Sequence, residues 1–223
     1  MQKDKKIMIV CGHYGSGKTN VAVNLALWYK SAHPKKDVAL ADVDIVNPYF
    51  RAADAAKQLS DAGVRPIIPA FANSNVDIPS LPPELYSLFR EDTDIVSFID
   101  VGGDDGAVAL GMYAEQIQKV GYEMLYVVSC YRPLTEDPAE AAALMRVIEE
   151  ASHLKCTGIV NNSSIGADTT EKEIADSIPY AHACEEACGI PLRFTSYYEA
   201  LLPDLKIPGE PLFPMKNVTK QMF

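Results

Sequence analysis

Gly12-His13-Tyr14-Gly15-Ser16-Gly17-Lys18-Thr19 joins a short apolar run, Lys6–Cys11 (KIMIVC), to a segment with apolar residues at helical spacing, Val21, Leu25 and Trp28. The glycines permit backbone angles and close approaches that a β-carbon would block. Consecutive N–H groups of such a loop turn inward as an anion nest. The helix that follows adds the partial positive charge of its N-terminus. Two glycines, Lys and Thr at this spacing fit the phosphate-loop pattern, in the strand–loop–helix context that the pattern demands. Gly12, Gly15, Ser16, Gly17, Lys18, Thr19 and Asn20 are therefore the candidate nucleotide-binding residues. Lys18 is expected to reach the β- and γ-phosphates and the Thr19 hydroxyl to ligate Mg²⁺.

Outward from this unit, apolar runs of strand length alternate with helical patterns. The strands are expected at Lys6–Cys11, Val38–Val43, Val64–Pro69, Asp94–Val101, Glu123–Ser129, Lys155–Asn161 and Ile190–Thr195. Helices are expected from the loop to Pro34, over Arg51–Ala62, near Glu84–Arg90, over Asp105–Val120, from a Thr135 cap to about Ala151, and over Thr170–Gly189, where Pro179 interrupts the pattern. Phe71–Pro83 and the Pro-rich tail after Pro203 read as irregular. Such alternation requires right-handed crossovers and a parallel sheet buried on both faces. The fold class is α/β, with a mostly parallel, doubly wound sheet and ligands expected at its C-terminal edge. No linker or repeat divides residues 1–223, which read as a single nucleotide-binding domain.

Two acidic sites fall at that edge. Asp42-Val43-Asp44 follows the second strand, and Asp100-Val101-Gly102-Gly103 follows an apolar strand. A magnesium–nucleotide site needs hard oxygen ligands beside the phosphates. Asp100 has the setting of a Walker-B carboxylate. Side chains two apart share a side of an extended segment, so Asp42 and Asp44 can both face the site. One would support the metal and the other orient an attacking water.

The chain has 223 residues and a formal net charge of −10. That surplus of acid argues against nonspecific nucleic-acid binding, which needs Lys and Arg to displace counterions. Five scattered cysteines (Cys11, Cys130, Cys156, Cys184 and Cys188) read as reduced thiols of a cytoplasmic protein. The first apolar run is too short to be a signal core or a membrane span.

Through GHYGSGKT, ADVDIVNPYFR after the second strand, FIDVGG and TGIVNN, the chain resembles the MinD/ParA-like, or SIMIBI-class, P-loop NTPases over most of residues 6–195. The resemblance implies a three-layer α/β/α P-loop NTPase fold. It also implies an Mg-ATP-dependent switch with slow hydrolysis, acting on a protein client or as a nucleotide-controlled homodimer. By position, it gives Lys18 and Thr19 the phosphates and metal, and Asp44 the water. Asp42 and Asp100 support Mg²⁺, and Asn161 reads the base, with Asn162 as its competitor. One departure concerns the partner: many members carry a signature Lys five positions before the loop Lys, and this chain has His13 there. The contact that such a Lys makes across a dimer then lacks its usual cation, and Arg51 in NPYFR is another source of that charge.

Weaker signals read blandly. Cys184 and Cys188 share a helix face but lack a second ligand pair, so they read as thiols rather than a metal site. Met215, Val218 and Met222 fall on one helical face of the tail, too short and too weakly basic to favour a membrane. Two other function classes compete with the ATP-dependent switch. One is a P-loop transferase or ligase acting on a small molecule, for which Arg65, Arg132 and Arg193 would have to converge. The other is a nucleotide-binding module without turnover.

Overall fold

The computed structural model describes residues 6–43, 52–67 and 83–218. Asp44, Arg51, the Asn- and Pro-rich loop as far as Pro82, and Met222 lie outside the described residues. Eight strands form one sheet: β1 (Ile7–Gly12), β2 (Val38–Asp42), β3 (Val64–Ile67), β4 (Val96–Asp100), β5 (Tyr122–Val128), β6 (Gly158–Asn161), β7 (Leu192–Tyr198) and β8 (Leu212–Met215). Their order is β3-β2-β4-β1-β5-β6-β7-β8, and every pairing is parallel. Among the described residues, seven helices accompany them: α1 (Lys18–Ala32), α2 (Ala52–Asp61), α3 (Pro83–Leu88), α4 (Gly103–Gly111), α5 (Ala114–Val120), α6 (Pro138–Ser152) and α7 (Glu171–Cys188).

The strands feed two cores by alternation. Ile7, Ile9 and Cys11 of β1 pack with α3–α7 residues such as Leu85, Leu110, Ile117, Met145 and Cys184. Val10 packs on the other face with Val21 and Leu25 of α1 and Leu59 of α2. The result is the expected three-layer α/β/α arrangement, with the C-terminal ends of β1, β2 and β4 gathered at one edge. Among the described residues no helix is long and apolar enough to cross a membrane.

The structure departs from the sequence pattern at identifiable places. The Pro-rich tail contains an eighth strand, β8. Pro214 is tolerated there because β8 is an outer strand, as Pro66 is tolerated in the opposite outer strand β3. Met215 consequently ends a strand instead of opening a helical face. The helix expected over Asp105–Val120 is two helices. A β-carbon on Gly111 would lie 2.7 Å from the Ala151 carbonyl, so this glycine lets the end of α4 close onto α6. The α6 cap is Asp137, which accepts from Ala139 N at 2.8 Å and Glu140 N at 3.1 Å, while the Thr135 hydroxyl donates to the Ser129 carbonyl at 2.9 Å. α7 runs unbroken through Pro179, pinned on either side by the Tyr131 phenol on the Glu173 carbonyl and the Tyr180 phenol on the Thr135 carbonyl. Trp28 does not share the buried face of Val21 and Leu25. It is exposed and meets Phe213 edge-on.

His182 ties α7 to the β7–β8 connection. Its Nδ1 lies 3.1 Å from Glu185 Oε2 and its Nε2 lies 3.0 Å from Glu210 Oε1. Both partners are carboxylates, so both contacts are hydrogen bonds only when the ring is imidazolium. The hydrogen bond to Glu210, then that to Glu185, raises the His182 pKa above its ordinary 6.5. A raised folded-state pKa means that the stabilisation is complete below pH 6.5 and is lost as pH rises through the folded value. Because the ring is half-exposed, the effect is expected to stay under about 1 kcal/mol. Denaturant titrations of the wild type and His182→Ala should differ at pH 6 and converge by pH 9. A gap that persists at pH 9 would make the contact one of packing alone.

Candidate nucleotide site

The loop between β1 and α1 is shaped by close approaches. Gly17 has φ +81 and caps α1 in the left-handed region, and a β-carbon there would lie 2.2 Å from Asn162 Nδ2. At Gly12 a β-carbon would lie 2.7 Å from the Val127 carbonyl of the neighbouring strand β5. At Gly12 the neighbour is backbone and leaves no room for a side chain; at Gly17 the left-handed φ favours glycine, and any side chain would also displace the Asn162 amide. The loop folds on itself through Ser16 N, which donates to the His13 carbonyl at 3.1 Å. Asn162 fixes it from beneath: Nδ2 donates to the Ser16 carbonyl at 2.7 Å, and Oδ1 accepts from the Ser196 hydroxyl at 2.7 Å.

Lys18 opens α1 and is only 2% exposed. Among the described residues its ammonium forms no ion pair or hydrogen bond. Holding a lysine side chain largely out of water without a counter-charge is costly. Here that cost falls at a helix N-terminus, where a cation is further disfavoured. Thr19, the next residue, is buried beside it.

The sheet register brings in the carboxylates. Val10 pairs with Asp100, and Asp100 pairs in turn with Asp42. Val101 N donates to the Val10 carbonyl at 2.9 Å and Val43 N to the Asp100 carbonyl at 2.8 Å, extending the pairing past the last strand residues. Register partners of parallel strands lie on one face, about 4.8 Å apart. Asp42 and Asp100 are therefore neighbours, both buried, at the strand end from which the Lys18 loop springs. The loop offers an anion cradle, a buried cation and a hydroxyl, and the strand ends offer two hard oxygen donors. That donor set fits a phosphate chain with Mg²⁺.

Two candidates have other engagements. Asn20 points away from the loop: its amide donates to the Tyr198 phenol at 2.9 Å, and its carbonyl oxygen accepts from Val218 N at 3.2 Å. Asn161 is fully enclosed. Its amide donates to Ser177 Oγ at 2.8 Å and to Thr195 Oγ1 at 3.3 Å, and its Oδ1 accepts from the Ser163 hydroxyl at 2.6 Å. Both side chains are thus committed to internal contacts.

The three arginines of the transferase reading do not converge. Arg65 lies on outer strand β3, and Arg193 binds Glu123 at 2.7 Å and the Thr157 carbonyl at 3.1 Å, at the far end of the sheet from the loop. Arg132 alone of the three borders the loop, and nothing in its local sequence marked it beyond its position after a strand. Nor did spacing reveal the loop clamp of Asn162 and Ser196, because it depends on which strands are neighbours. Among the described residues no group of three or more His, Cys, Asp and Glu is arranged to hold a metal, and Cys184 is buried with its thiol pKa pushed up to about 11 by burial.

No family model matches the chain, and no curated protein is similar to it in sequence. Solved structures are similar in fold. The cell division protein FtsY from Thermotoga maritima is 21% identical over 89% of this chain and 64% of its own, with a TM-score of 0.53. Chloroplast FtsY from Physcomitrella patens is 17% identical over 87% of this chain and 59% of its own, with a TM-score of 0.55. A ParA family ATPase from Chlorobium tepidum is 17% identical over 90% of each chain, with a TM-score of 0.51. The chain thus spans about three fifths of the length of the FtsY structures. These likenesses concern the fold: the chain shares its three-layer α/β/α arrangement with the FtsY and ParA family ATPase structures.

Proposed function

We propose that the chain binds Mg-ATP at the β1–α1 loop and works as a slowly hydrolysing switch on a protein partner. The observation that carries this reading is the Lys18 side chain, 2% exposed, which has no counter-ion among the described residues and stands at a glycine loop and a helix N-terminus. A phosphate chain supplies the missing negative charge. Thr19, Asp42 and Asp100 are the groups to hold Mg²⁺, which bridges phosphate oxygens and offsets charge that develops during phosphoryl transfer. Asp44 is assigned from the sequence to orient the attacking water. The choice of adenine over guanine comes from the sequence resemblance alone, since the fold neighbours include both FtsY and a ParA family ATPase. With Asn20 and Asn161 engaged internally, backbone groups of the loop carry the phosphate contacts in this reading, and Asn161 acts as a brace for the β6 end. His13 in place of the signature Lys favours a client protein over a homodimer that depends on a contact in trans.

Mg-ATP at 100 times Kd should stabilise the protein by about 2.7 kcal/mol. For a chain of this size that is roughly 5–10 °C in Tm. Lys18→Ala should abolish the shift. A variant that still binds would show that the loop is not the phosphate site, and a wild type indifferent to both ATP and GTP would end the nucleotide reading.

Asp44→Ala tests turnover separately. The variant should bind Mg-ATP as the wild type does and release phosphate roughly 100-fold more slowly. Unchanged release would assign the water to another residue.

A further inference from the structure

Arg132 stands beside the phosphate loop. Its Cδ and Nε lie 4.0 Å from the point where a β-carbon on Gly15 would sit. The side chain is exposed, and among the described residues its guanidinium makes no ion pair or hydrogen bond. Its charge is felt at the buried Tyr198 phenol, where it partly opposes the upward push of burial. Arg132 follows β5 in the chain and meets the loop at Gly15, so it lies on the β5 flank of the loop.

The turn that presents Arg132 is fastened at several points. Arg132 N donates to the Ser129 carbonyl at 3.4 Å and Thr135 N to the Arg132 carbonyl at 3.2 Å. Cys130 N donates to Ser163 Oγ at 3.0 Å, and the Tyr131 phenol donates to the Glu173 carbonyl at 2.9 Å. Leu134 completes the turn at φ 67, in the left-handed region that non-glycine residues rarely adopt. A long cationic side chain is thus displayed from a braced, strained turn.

The position is unfavourable for a cation on its own. The α1 N-terminus and the buried Lys18 already make the region positive. The buried carboxylates Asp42 and Asp100 lie on β2 and β4, on the other side of β1 from β5, the strand that leads into the Arg132 turn. An anion in the loop resolves this. Guanidinium suits it, because its planar fork binds phosphate through paired hydrogen bonds.

The geometry points to Arg132 as a second phosphate-binding cation that grips the nucleoside-proximal phosphates from the β5 flank. The inference rests on the nucleotide reading above. Metal ions bridge the β- and γ-phosphates, so the carboxylate flank marks the terminal end of the chain. Arg132, on the opposite flank, faces the end shared by the diphosphate and the triphosphate.

Calorimetry with Mg²⁺ and the β,γ-imido analogue of ATP, and separately with ADP, tests this on four proteins: wild type, Arg132→Ala, Arg132→Lys and Arg146→Ala. Arg146 is an exposed arginine of α6 and controls for loss of one positive charge. Arg132→Ala should weaken both nucleotides alike, roughly tenfold to a hundredfold. Arg132→Lys should recover part of the loss, and Arg146→Ala should match the wild type. Unchanged affinity in Arg132→Ala, or an equal loss in Arg146→Ala, would overturn the assignment. So would a loss confined to the triphosphate analogue, which would put Arg132 at the terminal phosphate. A wild type that binds neither probe fails at the nucleotide reading and takes this inference with it. A wild type that binds both leaves the role of Arg132 to be decided by the variants alone.

Discussion

Asn162 holds the Ser16 carbonyl and lies against Gly17, and the form of the site follows from that contact. Asn162 lies just past β6, two strands from β1, yet it holds the Ser16 carbonyl and sits against the Gly17 backbone. The loop is therefore set by the sheet as a whole. β5 must lie between β1 and β6 in register, and β7 must bring Ser196 to the far side of Asn162. A glycine loop in isolation would sample many shapes. Held this way, it keeps one shape.

The same register explains why part of the site was legible in the sequence. The loop, Lys18, Thr19 and the strand-ending Asp100 are encoded by adjacent residues, and the chemistry of each follows from its immediate neighbours. Asp42 was legible because alternation along β2 puts it at the strand end, where pairing with Asp100 makes it a neighbour. Asn161 and Asn162 were not separable in the same way. One step along a strand reverses the side to which a side chain points. One asparagine turns inward to Ser177 and Thr195, while the next reaches the loop. The Asn20 side chain is engaged elsewhere for a related reason. It follows Thr19 directly, but one residue of helix is a rotation of about 100°, enough to aim it at Tyr198 and the tail.

The sheet edges show how tertiary context overrides a local rule. Proline argued against strands in the tail, yet Pro214 and Pro66 occupy the two outer strands. Proline at an edge removes a donor that would otherwise invite another chain to pair. The residue that hid β8 from the sequence also makes β8 a safe end for the sheet. Met215 and Val218, apolar at a spacing that suggested a helix, reach the same core as α1 by another route, as β8 and the segment after it dock on Asn20 and Asn24.

A net charge of −10 sets the background against which the site has to work. In a uniformly acidic protein a polyanionic ligand would be repelled, and at physiological ionic strength distant charges are screened beyond about 8 Å. The local field then decides, and here it is divided. The loop, the α1 N-terminus and Lys18 form a positive centre, while Asp42 and Asp100 form a negative flank beside it. A phosphate chain matches the positive centre, and a metal matches the carboxylate oxygens. A phosphate chain that carries a divalent cation satisfies both at once. On the proposed reading, a site so divided would favour the metal-bound nucleotide over either component alone, because buried groups are little screened by solvent.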